Sequence, residues 1–352
     1  MSALGHVRKF LQHAGECRRV YGRDYSDLFL DFFRIIKNGY YPSEYFGLKL
    51  YEGGLSGYIS NREGIAIERD LNPRMVGIIN FDKWQQYCFF RANGFPTPRV
   101  FALFVGRRVL ISDVSFAFDD PGLFPALARL GTPFVVKPYG GGHGEGFGIV
   151  DTICEDERAI VFRGRGSLGY DEWITRTAGD PEGLLAQELL KTHNELLRFG
   201  ESALNTLRVV TIRDSAGVAH AAAVLLKLAR AGALVDNIGA GALAANVDLD
   251  SGKLSKAFLW PGYGAWAMHP DTGAEIEGFT VPFWQEAVGL AICAHERLTS
   301  GGSLSWDVAI TNDGPMLLEM NAFTPRPVYQ KLNRGLMLTV YGDVLRAKNN
   351  VF

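Results

Sequence analysis

Two carboxylates, Asp307 and Glu319, flank the turn signal Asn312-Asp313-Gly314 in the segment Ser305-Trp-Asp-Val-Ala-Ile-Thr-Asn-Asp-Gly-Pro-Met-Leu-Leu-Glu-Met-Asn321. Asn-Asp-Gly between apolar runs predicts a β-hairpin centred near Asp313. Each carboxylate lies six residues from that centre. A regular hairpin therefore sets them opposite each other, with Asn321 on the face of Glu319 by the two-residue period. Like charges so placed repel unless a cation lies between them. Hard oxygen ligands in this number suit Mg²⁺, which takes one or two carboxylates and fills its octahedron with water and phosphate oxygens. The plainer reading is a solvated acidic hairpin end.

A second chemistry resides in Phe134-Val-Val-Lys-Pro-Tyr-Gly-Gly-Gly-His-Gly-Glu-Gly-Phe-Gly-Ile-Val150, which packs six glycines between two apolar strands. Without Cβ atoms, successive backbone N–H groups can close around phosphate oxygens. The spacing fits neither a Walker A loop, which opens a helix with Gly-Lys-Ser/Thr, nor the dinucleotide-binding G-x-G-x-x-G. The loop joins strand to strand and so reads as a β-lid over a nucleotide, with Lys137 aiming its ammonium at the phosphates. A glycine hairpin without a ligand is the alternative.

These groups need elements to hold them. Helical spacing predicts two amphipathic helices over about 3–38 and a helix over 81–92, stopped by Asn93-Gly94 and Pro96-Thr97-Pro98, a domain hinge. Gly53, Gly54 and Gly57 mark a loop. Strands are predicted at 100–105, 109–112, 133–137, 147–153, 208–213, 219–228, 307–311 and 316–319, and helices near 123–129 and 283–298. Interleaved strands and helices make the class α/β (α+β) with more than one sheet. The basic residues of the first segment, Arg8, Lys9, Arg18, Arg19 and Arg23, read as a solvated helix face before membrane or RNA contact.

With 36 basic against 38 acidic side chains and a net charge of −2, the 352-residue chain has no general basic field for nucleic acid. No apolar run reaches the ~18 residues of a membrane span, and the opening segment lacks a signal-peptide core. Cys17, Cys88, Cys154 and Cys293 form no C-x-x-C pair, so reduced, partly buried thiols in a cytoplasmic protein are expected. The 41 glycines exceed the usual ~7%.

Lys-Pro before a glycine-rich strand-to-strand loop, followed far downstream by Asp307 and Glu319-x-Asn321, resembles the ATP-grasp superfamily. Asn38-Gly-Tyr-Tyr-Pro-Ser-Glu-Tyr-Phe46, Phe81-Asp-Lys83, Leu204-Asn-Thr-Leu-Arg-Val-Val-Thr-Ile212, Val235-Asp-Asn-Ile-Gly239 and His269-Pro-Asp-Thr-Gly273 are similar to its sugar-transfer-associated branch. That resemblance implies two α+β subdomains clasping ATP behind a helical N-terminal region. The divisions are 1–98, 99–187 (the lid with the glycine loop) and 188–352 (the metal site). It implies Lys83 and Lys137 on the phosphates with Gly141, Gly142 and Gly144 over them, and Gln187, Glu188, Leu189 and Leu190 on the adenine. It also implies Glu195 on the ribose hydroxyls and Asp307, Glu319 and Asn321 on Mg²⁺, for which Mn²⁺ can substitute. Arg208 and Lys227 would act catalytically, with Asn237 and Arg326 at the acceptor.

Bland readings stand beside these. Gln187 to Leu190 also read as a helix end in a core. Arg208 and Lys227 read as salt bridges at a sheet edge, and Arg326 as a surface arginine between prolines. Glu145 in the lid turns outward. Trp260, Tyr263 and Trp266 read as core before pocket.

The expected activity is that of an ATP-dependent ligase joining carboxylate to amine or thiol through an acyl phosphate. Small-molecule or peptide substrates are expected, with no nucleic acid and no membrane span, and a homodimer is compatible with the chain. Phosphotransfer to a sugar or polyol hydroxyl is the second expectation, and a nucleotide-binding regulator without turnover the third. The absence of a Ser-His-Asp or Cys-His signature agrees with chemistry done by positioning and charge.

Overall fold

A computed structural model of the chain describes residues 3–21, 24–72, 82–105, 108–111, 114–118, 124, 127–128, 131–140, 146–178, 183–260, 264–298, 300–322, 324, 326–333 and 335–349. Gly141, Gly142, His143, Gly144, Glu145 and Tyr263, and most of the helix expected near 123–129, lie outside them.

The chain opens with α1 (Ala3–Tyr21), α2 (Tyr25–Asn38), α3 (Pro42–Gly47), α4 (Leu50–Gly53) and α5 (Asn61–Leu71). Phe10, Ala14, Leu28 and Ile35 recur at helical spacing on α1 and α2 and close over Tyr45 and Phe46 of α3. The Tyr45 hydroxyl donates to buried Asp31 at 2.7 Å. The stretch expected as a loop at Gly53 to Gly57 begins inside α4, and Gly54, with φ +81°, terminates it.

Two antiparallel sheets follow the Lys83–Ala92 helix. The first contains β1 (Val100–Val105), β2 (Arg108–Ile111), β3 (Val114–Phe118), β4 (Phe134–Pro138), β5 (Gly148–Cys154), β6 (Ala159–Phe162), β7 (Gly166–Gly169) and β8 (Leu184–Glu188). Its order is β3-β2-β1-β8-β4-β5-β6-β7. Phe104, Phe134, Val136 and Ile160 share a core with Trp173 of the Tyr170–Ala178 helix. Gly146 has φ +71°, and a Cβ there would lie 2.6 Å from Pro138 Cγ, so the loop returns tightly against the strand it left.

The second sheet orders β12 (Phe258–Leu259), β11 (Leu243–Asn246), β10 (Ala219–Leu228), β9 (Thr206–Arg213), β13 (Ser303–Thr311) and β14 (Gly314–Asn321). Leu207, Val209, Leu226, Leu228, Trp306 and Val308 face the Trp284–Arg297 helix. Val210, Ile212 and Leu225 face Ile59, Tyr329 and Tyr341 of the helical layer built from both ends of the chain. Burial on both faces explains why these strands read as continuous apolar runs. Trp266 packs against the first of these cores and Trp260 against the second. Among the cysteine side chains described, Cys88 and Cys293 are exposed, which corrects the expectation of partly buried thiols, and Cys154 is half-buried as expected.

Helix α5, unforeseen in the sequence, ties the helical layer to the second sheet. Its C-cap Asn72 donates from Nδ2 to the carbonyls of Ser303 and Ala322, both at 2.8 Å. Its Oδ1 accepts from Gly302 and Ser303 N–H. Glu68 of α5 pairs with Arg326 and accepts from Thr324 N–H at 2.8 Å. Arg326 is thus a buried, paired residue, 4% exposed, and the reading of a surface arginine is corrected. Gly64 makes room for it: a Cβ there would come within 2.0 Å of Arg326 Nε. Gly64→Ala should lower unfolding stability by about 1–3 kcal/mol through overpacking. Gly15→Ala in α1, where a Cβ meets nothing within 4 Å, should hold or raise stability by up to ~1 kcal/mol. Urea unfolding of the two variants measures the contrast.

Candidate functional site

Cross-strand register builds the charged centre. Asp307 of β13 pairs with Arg208 of β9 on one side and with Glu319 of β14 on the other. Arg208 is also registered with Leu225 of β10, two residues before Lys227. The neighbours Leu207, Val209, Leu226, Leu228, Trp306 and Val308 belong to the core beneath. By alternation the four charged side chains therefore lie together on the opposite face. Leu317 and Met320 both join that core although they are three residues apart. A β-bulge absorbs the extra residue: pairing runs Val308↔Leu317 and then Asp307↔Glu319. The turn itself is the two-residue Asn312-Asp313 with Thr311↔Gly314 closing it, so the centre lies half a residue before Asp313, and the bulge restores the opposition.

Arg208 grips Asp307 with both ends of its fork, Nε to Oδ1 at 2.6 Å and Nη2 to Oδ2. Lys227 Nζ lies 3.4 Å from Asp307 and 3.2 Å from Asp236. Asp236 Oδ2 accepts from the Thr206 backbone N–H at 2.8 Å and its hydroxyl at 2.6 Å. Burial pushes the Asp307 carboxyl up, but Arg208 and Lys227 outweigh it and hold the group at about 2. The salt-bridge reading of Arg208 and Lys227 is right as to pairing and wrong as to place, since β9 and β10 are interior strands.

Beside this row, meeting it at Thr206 and Asp236, is a cleft of about 590 Å³ lined from both sheets; Arg208, Lys227, Asp307, Glu319, Asn321 and Lys83 are not among its lining residues. Val135 and Ile149 of the first sheet and Leu197, Leu204 and Leu318 on the other side give it apolar walls, and Gln187, Glu188, Leu189 and Leu190 line its end. Such walls accept a flat ring, and the adjoining cations accept a polyanion. Lys137 of β4 reaches in. Burial, aided by neighbouring Lys83, lowers its ammonium to about 8, while Glu319 and Asp307 pull the other way. Lys83 opens its helix behind N-cap Asp82, and its Nζ donates to Gly140 O at 3.4 Å.

β8 ends at Glu188, whose N–H donates to Arg99 O at 2.8 Å and whose Oε2 accepts from Arg99 N–H. Gln187 is a buried strand residue donating to Pro98 O, not part of a helix end. The chain then crosses to the second sheet. His193 N–H donates to Ile310 O at 2.8 Å, and the side-chain amides of Asn194 and Asn312 meet at 3.1 Å. Glu195 follows in the Asn194–Phe199 3₁₀ turn and does not line the cleft; Glu201 does. Asn237 caps its own turn, its Oδ1 accepting Gly239 N–H at 2.8 Å, and the cleft is lined instead by its neighbour Asp236. Arg326, taken up by Glu68, does not reach the cleft lining either.

Sequence reasoning missed Gln86. It lies on the helix that Lys83 opens, is 1% exposed, and brackets Met320 of β14: Nε2 donates to Met320 O at 3.0 Å, and Oε1 accepts Met320 N–H at 2.7 Å. Met320 stands between Glu319 and Asn321. A side-chain amide can reproduce a strand's pairing in this way, but nothing local in the sequence marks it.

The donor set on this face is hard oxygen. Among the described residues no three His, Cys, Asp or Glu side chains converge on a metal position. A divalent ion here would use the two carboxylates and the Asn321 amide, completed by oxygens from outside the protein, as Mg²⁺ accepts. Asn321 is registered with Ser305, and Asn321 Nδ2 and Ser305 Oγ are buried without a hydrogen-bond partner.

Among solved structures, a D-alanine–D-alanine ligase from Bacillus anthracis is similar at 15% identity and TM-score 0.38, covering 77% of this chain and 63% of that one. An N5-carboxyaminoimidazole synthetase from Staphylococcus aureus complexed with ADP gives 12%, 0.43, 76% and 52%. An L-amino acid ligase from Bacillus licheniformis gives 10%, 0.41, 89% and 64%. The chain thus spans less than two thirds of the length of each of these three. No curated protein matches it. Residues 64–338 match the sugar-transfer associated ATP-grasp family, and the chain belongs to that family.

Proposed function

We propose that the chain is an ATP-dependent ligase that joins a carboxylate to an amine, releasing ADP and phosphate. The observation that carries this reading is the registered row of Glu319, Asp307, Arg208 and Lys227 beside an apolar slot into which Lys137 reaches and which Asp236, the partner of Lys227, also lines. The base lies between Val135, Ile149 and Leu318, read at its edge by Gln187 to Leu190. Glu201, rather than Glu195, takes the ribose hydroxyls. Lys83 and Lys137 hold the phosphates, covered by Gly141, Gly142 and Gly144. Glu319, Asp307 and Asn321 would hold Mg²⁺, which would supply neutralisation of phosphate charge. The substrate carboxylate attacks the γ-phosphorus in line, the bond to the β–γ bridging oxygen breaks, and ADP leaves with the electron pair. The amine then attacks the acyl carbon, phosphate departs, and the surplus amine proton passes to solvent. Arg208 and Lys227 stabilise the negative charge that builds on the transferring group. The working division is 1–98, 99–187 and 188–352, with the reaction between the last two.

Running the reaction with ¹⁸O-labelled carboxylate tests the chemistry. Label in released phosphate is expected, and a phosphorylated product without free phosphate would overturn the ligase reading. Lys137→Ala and Glu319→Ala should each abolish ADP formation with the melting temperature nearly unchanged; near-normal activity in either sinks the assignment.

The Lys137 ammonium is charged below about 8 and neutral above. ATP affinity, measured by calorimetry, should therefore fall as pH rises through 8, by up to about tenfold per unit. Lys137→Arg should flatten that dependence, because guanidinium stays charged.

Gln86 acts as a positioning residue for Glu319 and Asn321. Gln86→Leu should weaken Mn²⁺ binding to the ADP complex, followed by electron paramagnetic resonance, by about 10–100-fold. ADP affinity without metal should change less than about twofold.

A further inference from the structure

The outer face of α2 takes no part in the cleft. At 100° per residue, Leu28, Asp31 and Ile35 fall on one side of the helix and are buried. Tyr25, Phe29, Leu30, Phe33 and Ile36 fall on the other, each between 55% and 70% exposed. The Phe29 and Phe33 rings meet edge to face at 5.0 Å, so the patch is continuous along the helix. Soluble surfaces seldom leave so many large apolar side chains together without a partner for them.

Among the described residues, the charge on this half of α2 and the one lying over it are basic, with Asp24 at the N-cap. The Arg18 guanidinium lies over the Tyr25 ring at 4.2 Å and donates to its hydroxyl at 2.9 Å. Lys37, exposed, falls on the apolar half of the helix. Asp27 and Asp31 fall on the other half by the same spacing. Pairing α2 with a second copy about a two-fold axis would set Arg18 against Lys37 if the helices ran antiparallel. It would set Lys37 against Lys37 if they ran parallel. Either arrangement brings cations together, with no helix acid on that face to relieve them. An anionic lipid surface satisfies both features: aromatic and aliphatic side chains enter the headgroup boundary, and the cations meet lipid phosphates.

We infer that α2 docks this protein on anionic membranes, lying along the surface without crossing it. The test is flotation of the full chain with vesicles of phosphatidylcholine alone or mixed with phosphatidylglycerol. Binding to the anionic vesicles is expected, with little to phosphatidylcholine alone, and it should weaken at high salt. Phe29→Ser with Phe33→Ser should cut the bound fraction by more than about tenfold. Lys37→Glu should cut it by about fivefold or more. Both changes are at exposed positions, so the melting temperature should stay as in the parent. Absence of flotation with either vesicle, or equal flotation with both, would overturn the inference. So would a dimer in sedimentation equilibrium that the double phenylalanine change dissociates, since a second copy would then own the face.

Discussion

The Arg208–Asp307 pair is the constraint on which the site depends. A carboxylate taken into a sheet interior is costly unless fully compensated. Here a planar fork and an ammonium hold it, and Asp236 completes the set by steadying Lys227. Removing any one member strands a charge among apolar neighbours. The pairs therefore hold the relative register of β9, β10 and β13, and the two cations keep the Asp307 carboxyl below the usual carboxylate range.

Around that row the sheet trades regularity for aim. The bulge in β14 sets Glu319 opposite Asp307 and lets Leu318 line the cleft while Leu317 and Met320 stay in the core. β14 is also an edge strand, whose unpaired groups would otherwise invite another chain. Gln86 occupies part of that edge, and Leu317 N–H donates to Pro96 O at 2.8 Å. The same helix thus carries Lys83, whose ammonium donates to Gly140 O, and closes the strand that carries Glu319.

Much of this was legible locally. The opposition of Asp307 and Glu319 follows from the turn signal, though two offsets cancel: the true turn is half a residue earlier, and the bulge adds one back. β1 and β10 have the limits read from the sequence, because their apolar runs end at clear breakers. What was not legible depends on long-range partners. The capture of Arg326 by Glu68 requires knowing that α5 passes beneath it with Gly64 at the crossing. That Glu201 lines the cleft and Glu195 does not depends on the path of the chain through and beyond the Asn194–Phe199 3₁₀ turn. The apolar outer face of α2 was hidden because helical spacing marks apolar positions on both sides of the helix and cannot say which the rest of the chain will cover.

The crossover after β8 carries a mechanical consequence. Its bonds from His193 to Ile310 and from Asn194 to Asn312 fasten one end of the first sheet to the tip of the carboxylate hairpin. Any tilt of that sheet must pivot there, and displacement grows with distance from a pivot. Gln187 and Glu188, next to the crossover, would barely shift, while the β5–β7 end travels farthest.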